Sequence, residues 1–216
     1  MKLKNSYNKK YFKFENAFYR FAEKSRFEKL LNQFELVKLI KNVPGDIVEL
    51  GVFRGNSLIR LCHFRDILKL KKKVFGFDTF SFFPENNSVY KYDKFFPQAY
   101  KKIAGNPISD KELKKILKNK KIKNVKLIKG NIYNTLSILE KKKLKISLLH
   151  LDLDTEDITE FVLKKVFKLI SKKGVIILDD YKIHKGIDRA IKNLKLLNLK
   201  VSKPLFGNNP HFIIKD

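Results

Sequence analysis

Ile47-Val48-Glu49-Leu50-Gly51-Val52-Phe53-Arg54-Gly55-Asn56-Ser57 is the stretch that decides the architecture. A short apolar strand, launched by the turn Val43-Pro44-Gly45-Asp46, runs into two closely spaced glycines. Leu58, Leu61, Cys62, Arg65 and Leu68 then share one helical face. Gly51 permits a tight turn and close backbone approach. Gly55 opens the helix, whose first amides face the crevice at the strand ends. Downstream, Val74–Phe77, Val125–Ile128, Ile146–Leu153 and Val175–Leu178 read as further apolar strands. Helical patterns over 159–170 and 186–197 fill intervals between them, and the last residues read as two strands around Gly207-Asn208-Asn209-Pro210. Strands rich in Ile, Leu and Val that alternate with helices predict an α/β sheet covered on both faces.

Two segments stand outside this rhythm. Residues 12–42 carry apolar positions at helical spacing, such as Phe27, Leu30, Leu31, Phe34, Leu36, Leu39 and Ile40, so residues 1–42 are expected to form an N-terminal helical extension to a domain at 43–216. Residues 80–124 form an insertion that begins with aromatic residues and contains one capping box, Ser109 with Glu112. An insertion after a strand's carboxyl end is expected to lie over the ligand crevice.

The chain has 216 residues, 44% hydrophobic and 32% charged, which suits one folded domain with an appendage and excludes disorder. No apolar run approaches the ~18 residues of a membrane span. The basic start is followed by no hydrophobic stretch, so no secretory signal is expected. The single cysteine, Cys62, excludes an internal disulfide and is expected in the core, and a cytoplasmic location fits. The net charge is +26, but only six of the 48 basic residues are arginine (Arg20, Arg26, Arg54, Arg60, Arg65 and Arg189). Lysines spread through every segment read as solvated surface rather than a dedicated nucleic-acid face, because arginine is the residue of bidentate phosphate and base recognition.

Two clusters carry chemistry. Gly51 and Gly55 suit an ordinary strand-to-helix turn, but the second strand ends in Asp78, where an acid can accept the hydroxyls of a ribose. Together they favour a nucleotide-like cofactor. The Gly-x-Gly-x-x-Gly and phosphate-loop patterns are absent. In the second cluster, Leu148, His150, Asp152 and Asp154 alternate onto one face, and the next strand ends in Asp179-Asp180. If these strands are neighbours, Asp152, Asp179 and Asp180 converge, and a divalent cation such as Mg2+ would relieve their repulsion. Solvated strand-end acids are the plainer alternative. His150 is expected to pack within its strand; His184 stands in a loop just past the acidic pair, either lining the crevice or, more plainly, on the surface.

At these residues the chain resembles the class I S-adenosylmethionine-dependent methyltransferases and, more narrowly, the macrocin O-methyltransferase (TylF/MycF) family of sugar O-methyltransferases. The segments that carry the likeness are PGDIVELGVFRGNSL (44–58), FGFDTFSFFPE (75–85), GNIYNTL (130–136), LLHLDLD (148–154) and KKGVIILDDY (172–181). The resemblance implies a Rossmann-like, mostly parallel seven-stranded sheet with helices on both faces. It implies S-adenosylmethionine held by Glu49, Gly51, Val52, Phe53, Arg54, Gly55, Asn56, Ser57, Asp78, Thr79, Gly130, Asn131 and Asp152. It further implies Mg2+ held by Asp152, Asp179 and Asp180, with Asp152 also the catalytic base. The acceptor would be a small-molecule sugar or nucleotide sugar, and the protein a homo-oligomer. Three departures from the family pattern stand out: Glu156 replaces a tyrosine, Asn131 replaces an aromatic residue, and Phe82-Phe83 replaces Gly-Leu. None removes a proposed metal ligand. The competing functions are RNA methylation and a non-catalytic role for a degenerate methyltransferase fold.

Overall fold

The computed structural model describes residues 9–83 and 90–216. Helices α1 (Lys9–Phe21) and α2 (Lys24–Leu39) precede the first strand, β1 (Asp46–Leu50). Then follow α3 (Asn56–Ile67), β2 (Val74–Asp78), α4 (Lys91–Ala104), α5 (Asp110–Asn119) and β3 (Val125–Lys129). Two short helices, α6 (Ile132–Thr135) and α7 (Ser137–Lys141), lead to β4 (Ile146–Leu151) and α8 (Glu156–Val166). The chain ends with β5 (Ile170–Leu178), α9 (Lys185–Asn193) and β6 (His211–Ile214).

The strands form one sheet in the order β3-β2-β1-β4-β5-β6. Neighbours are parallel except for β5 and β6. The chain moves outward from β1 to β3 and then returns to lay β4 beside β1. Where the order reverses, the connections leave on opposite faces and a crevice opens outside the carboxyl ends of the strands. The core has two layers. Val48, Leu50, Leu149 and Leu151 face one apolar cluster, and Ile47, Leu148, Val175 and Ile177 face the other. Each fully buried Ile or Leu contributes about 1.5–3 kcal/mol.

Among the described residues the sheet has six strands rather than seven. The segment expected as a further strand is reduced to a single bridge between Ser202 and Phe212. Pro204 has no N–H for a ladder, and the next two amides are taken elsewhere. Asn32 of α2, buried to 1% exposure, accepts from the N–H groups of Leu205 and Phe206 through Oδ1, both at 2.9 Å. Its Nδ2 donates to the carbonyls of Phe206 and Asn209. The helical stretch predicted over 159–170 ends early, because Ile170 already belongs to β5. In the insertion, Ser109 caps α5 by accepting from the Glu112 N–H at 3.1 Å. Pro84 and Glu85, which belong to one of the family-like segments, lie outside the described residues. No described helix is long and apolar enough to cross a membrane.

Candidate active site

The loop after β1 is shaped by backbone that only glycine tolerates. Gly51 has φ +89°, and a Cβ there would lie 1.7 Å from the carbonyl oxygen of Asp152, so the ends of β1 and β4 are in backbone contact. Gly55 has φ +79° just before α3, and a Cβ would meet Leu113 of α5 at 2.6 Å. Phe53 holds φ +48°. Asp78 holds this loop in place: Oδ2 accepts from the N–H groups of Val52 (2.7 Å) and Phe53 (2.9 Å). Its Oδ1 accepts from the Phe80 N–H at 2.6 Å. Four of the ten described non-glycine residues with positive φ (Phe53, Phe80, Asp154 and Lys182) lie at these strand ends.

A cleft of about 760 Å³ opens over this loop. Gly51, Val52, Phe53, Arg54, Asn56, Ser57, Asp78, Thr79, Gly130, Asn131 and Asp152 line it. Glu49, Gly55, Asp179 and Asp180 do not. Gly55 is buried beneath Leu113, and Glu49 is wholly buried at the strand end. The N-terminal helices form one wall, with Phe18, Ala22, Arg26, Lys29 and Leu30, joined by Arg60 of α3. Ser81, Phe83 and Tyr100 bring the insertion over the cleft. Tyr100 packs edge-on against Phe53 at 5.5 Å. Burial, then the charges of Asp154 and Asp152, push its hydroxyl up to about 12.

Beneath the cleft runs a chain of buried charge. The register sets Glu49 of β1 beside His150 of β4, and His150 beside Ile177 two positions before Asp179. His150 Nδ1 lies 2.8 Å from Glu49 Oε1, and Nε2 lies 3.1 Å from Asp179 Oδ1. Lys29 Nζ donates to Asp179 Oδ2 at 2.5 Å. Gln33 meets His150 Nε2 at 3.4 Å and accepts from Arg60 Nε. Burial works against the imidazolium, but hydrogen bonds and charge from Asp179 and Glu49 outweigh it and raise His150 to about 10. Burial would raise Asp179 as well, yet His150 and Lys29 hold it below the usual carboxylate range. Glu49 Oε2 is buried with no hydrogen-bond partner among the described residues.

The remaining acids are not neutralised in this way. Asp152 is pushed well up by burial and by Asp179 and Asp180, and Asp154 by burial and by Asp180 and Asp152. Asp180 rises to about 7 through burial and the charge of Asp179. Ligand atoms of His150, Asp152 and Asp179 lie within 4.8 Å of one another, as do those of Asp154, Asp180 and His184. A set of crowded carboxylate oxygens with excess negative charge matches the hard, oxygen-seeking divalent cations.

Several of these residues escape a reading of the sequence. His184, of whose two readings the one beside the acids holds, packs against Phe96 at 5.1 Å and places Nε2 3.7 Å from Asp154 Oδ1. Asp154, which the alternation puts on the face of Asp152, groups with Asp180 and His184. Arg26 and Arg60 were detectable in principle, being two of six arginines. Lys29, one lysine among forty-two, gives no such signal.

A doubly wound sheet with a glycine-turned first loop, an acid-tipped second strand and a cleft at the reversal of strand order defines a Rossmann-like methyltransferase. The sequence profile described as macrocin-O-methyltransferase (TylF) matches residues 15–207, and the chain belongs to this family of S-adenosylmethionine-dependent O-methyltransferases. Among solved structures it is similar to the O-methyltransferase NovP, with TM-score 0.76 and 20% identity over 87% of this chain and 79% of that one. It is also similar to CalS11, described as TDP-rhamnose 3′-O-methyltransferase, with TM-score 0.70 and 21% identity over 94% and 86% of the two chains. The S-adenosylhomocysteine-bound methyltransferase PaMTH1 of Podospora anserina aligns with TM-score 0.57 and 15% identity over 91% and 84%. No curated protein matches the sequence.

Proposed function

We propose that the protein moves a methyl group from S-adenosylmethionine to a hydroxyl of a sugar, with Mg2+ at the acidic group. The observation that carries this reading is the single cleft in which the 51–57 loop, Asp78, Gly130 and Asn131 meet Asp152 and Asp154. The loop, Asp78, Thr79, Gly130 and Asn131 would hold the donor, which supplies a methyl on a sulfonium. Mg2+, held by Asp152, Asp179 and Asp180 with Asp154 beside them, would supply Lewis acidity that makes a hydroxyl easier to deprotonate. Arg26, Arg54 and Arg60 line the same cleft, so three of the chain's six arginines can face an anionic part of the acceptor. That suits a sugar carried on a nucleotide diphosphate, and CalS11 is described as a TDP-rhamnose methyltransferase.

The transfer is an in-line displacement: the oxygen–carbon bond forms as the sulfur–carbon bond breaks, and the hydroxyl proton leaves. Holding the acceptor in line contributes much of the rate. A sugar hydroxyl is about as weak an acid as water, pKa ~15.7 against ~3.9 for aspartic acid. That gap, about 16 kcal/mol, is too large for full deprotonation beforehand. Asp152, which lines the cleft beside the donor loop, accepts the proton while the methyl moves. Phe18, Leu30, Phe83 and Ile158 add apolar surface to the cleft wall.

Radiolabelled methyl transfer to a panel of nucleotide sugars tests the reading. Asp152→Asn should lower kcat by about 10²–10⁴, with affinity for S-adenosylhomocysteine changing less than about tenfold. Excess EDTA should abolish turnover, and undiminished turnover in EDTA would remove the metal. Methylation of carbon in an RNA base through a cysteine nucleophile is disfavoured by the position of Cys62, which is wholly buried among apolar residues on α3.

A further inference from the structure

Lys29 has no counterpart in the donor-binding and metal-binding residues named so far. It stands on α2 one helical turn before Gln33, and both face the strand ends. Its ammonium seats on Asp179 Oδ2 at 2.5 Å, while His150 occupies Oδ1 at 3.1 Å. The side chain of Lys29 is 24% exposed and that of Asp179 6%, so the pair is largely removed from water. A carboxylate so placed needs a cation against it, and removing one without a replacement costs stability. The ammonium also feels the charge of Asp152. Asp179, which it holds, is grouped with Asp152 and His150 in one of the tight sets of potential ligands.

We infer that the Lys29 ammonium and the divalent cation are alternative occupants of one position against Asp179, so that metal enters as Lys29 withdraws. The inference rests on the metal reading above. Mg2+ binds oxygen at about 2.1 Å, and an ammonium at hydrogen-bond distance from the same oxygen would repel it. Lys29 is then a positioning residue. It holds Asp179 in the metal-free protein and ties α2, which also carries Arg26 and Leu30 of the cleft wall, to the state of the metal site. By linkage, a metal that displaces Lys29 loosens α2, and a docked α2 weakens metal binding by the same factor. The contrasting geometry is a lysine that braces Asp179 from outside while the metal sits elsewhere, in which case its loss would loosen the site.

Mn2+ titrated into the full-length protein without donor or acceptor, followed by the electron paramagnetic resonance of free Mn2+, separates the two. Lys29→Met and Lys29→Gln should each bind Mn2+ at least ~10-fold more tightly than the wild type, and Mn2+ should raise the melting temperature of the variants more than that of the wild type. In the wild type, amide exchange in α2 should quicken on Mn2+ saturation, a readout that needs no variant. Equal or weaker Mn2+ affinity in the variants, or unchanged exchange in α2 at saturation, overturns the competition and leaves the metal site standing. Absence of Mn2+ binding from all three proteins removes the metal reading and this inference with it.

Discussion

Single side chains at the site are governed by burial and by which charges lie next to them. Cys62 is the plainest case. Burial pushes its thiol up to about 12, so near pH 8 the reactive thiolate is scarce as well as inaccessible. Native protein should therefore leave a thiol-specific reagent unreacted at pH 8, while protein unfolded in guanidinium consumes one equivalent. Rapid labelling of the native protein would contradict the packing of α3. The core position of Cys62 is legible from helical periodicity alone. The pairing of Glu49 with His150 is not, since it needs the register of β1 against β4. Resemblance assigns Glu49 to the donor, whereas its carboxylate is turned to the imidazole beneath the cleft. Lys29 was the hardest to see, because a lysine-rich composition hides the one lysine that a carboxylate holds.

Secondary-structure elements follow the sequence closely where the apolar pattern is strong. The strands expected at 47–50, 74–77, 125–128 and 175–178 lie within β1, β2, β3 and β5, while the one expected over 146–153 ends two residues earlier, at Leu151 of β4. Runs of Val, Ile and Leu buried on both faces leave few alternatives. The C-terminal region departs because its backbone amides are captured by a side chain distant in sequence, which no local pattern records. Asn32 makes four hydrogen bonds to the 205–209 segment from a buried position. Asn32→Ala should destabilise the protein by about 1–3 kcal/mol, since a buried amide and its four hydrogen bonds are lost. Urea unfolding measures this, and a change below about 0.5 kcal/mol would mean that the tie to α2 is dispensable.

For the molecule as a whole, topology gathers the site more than any motif does. Loops that are far apart in sequence converge because the strand order reverses between β1 and β4. The charge of +26 is a separate matter: it is carried by 42 lysines against six arginines, and three of those arginines line the cleft. Unstructured RNA should accordingly be retained in about 50 mM salt and released by about 200 mM, without base preference, as counterion release dictates. Sequence-selective binding that survives about 150 mM salt would point instead to a nucleic-acid acceptor. The central claim is that the cleft above Gly51–Ser57 is built for a sulfonium nucleoside. Calorimetry with S-adenosylhomocysteine, in EDTA and again with Mg2+, tests it most directly. The account predicts saturable binding of one molecule per chain in both conditions; a folded protein that takes up none in either would contradict it.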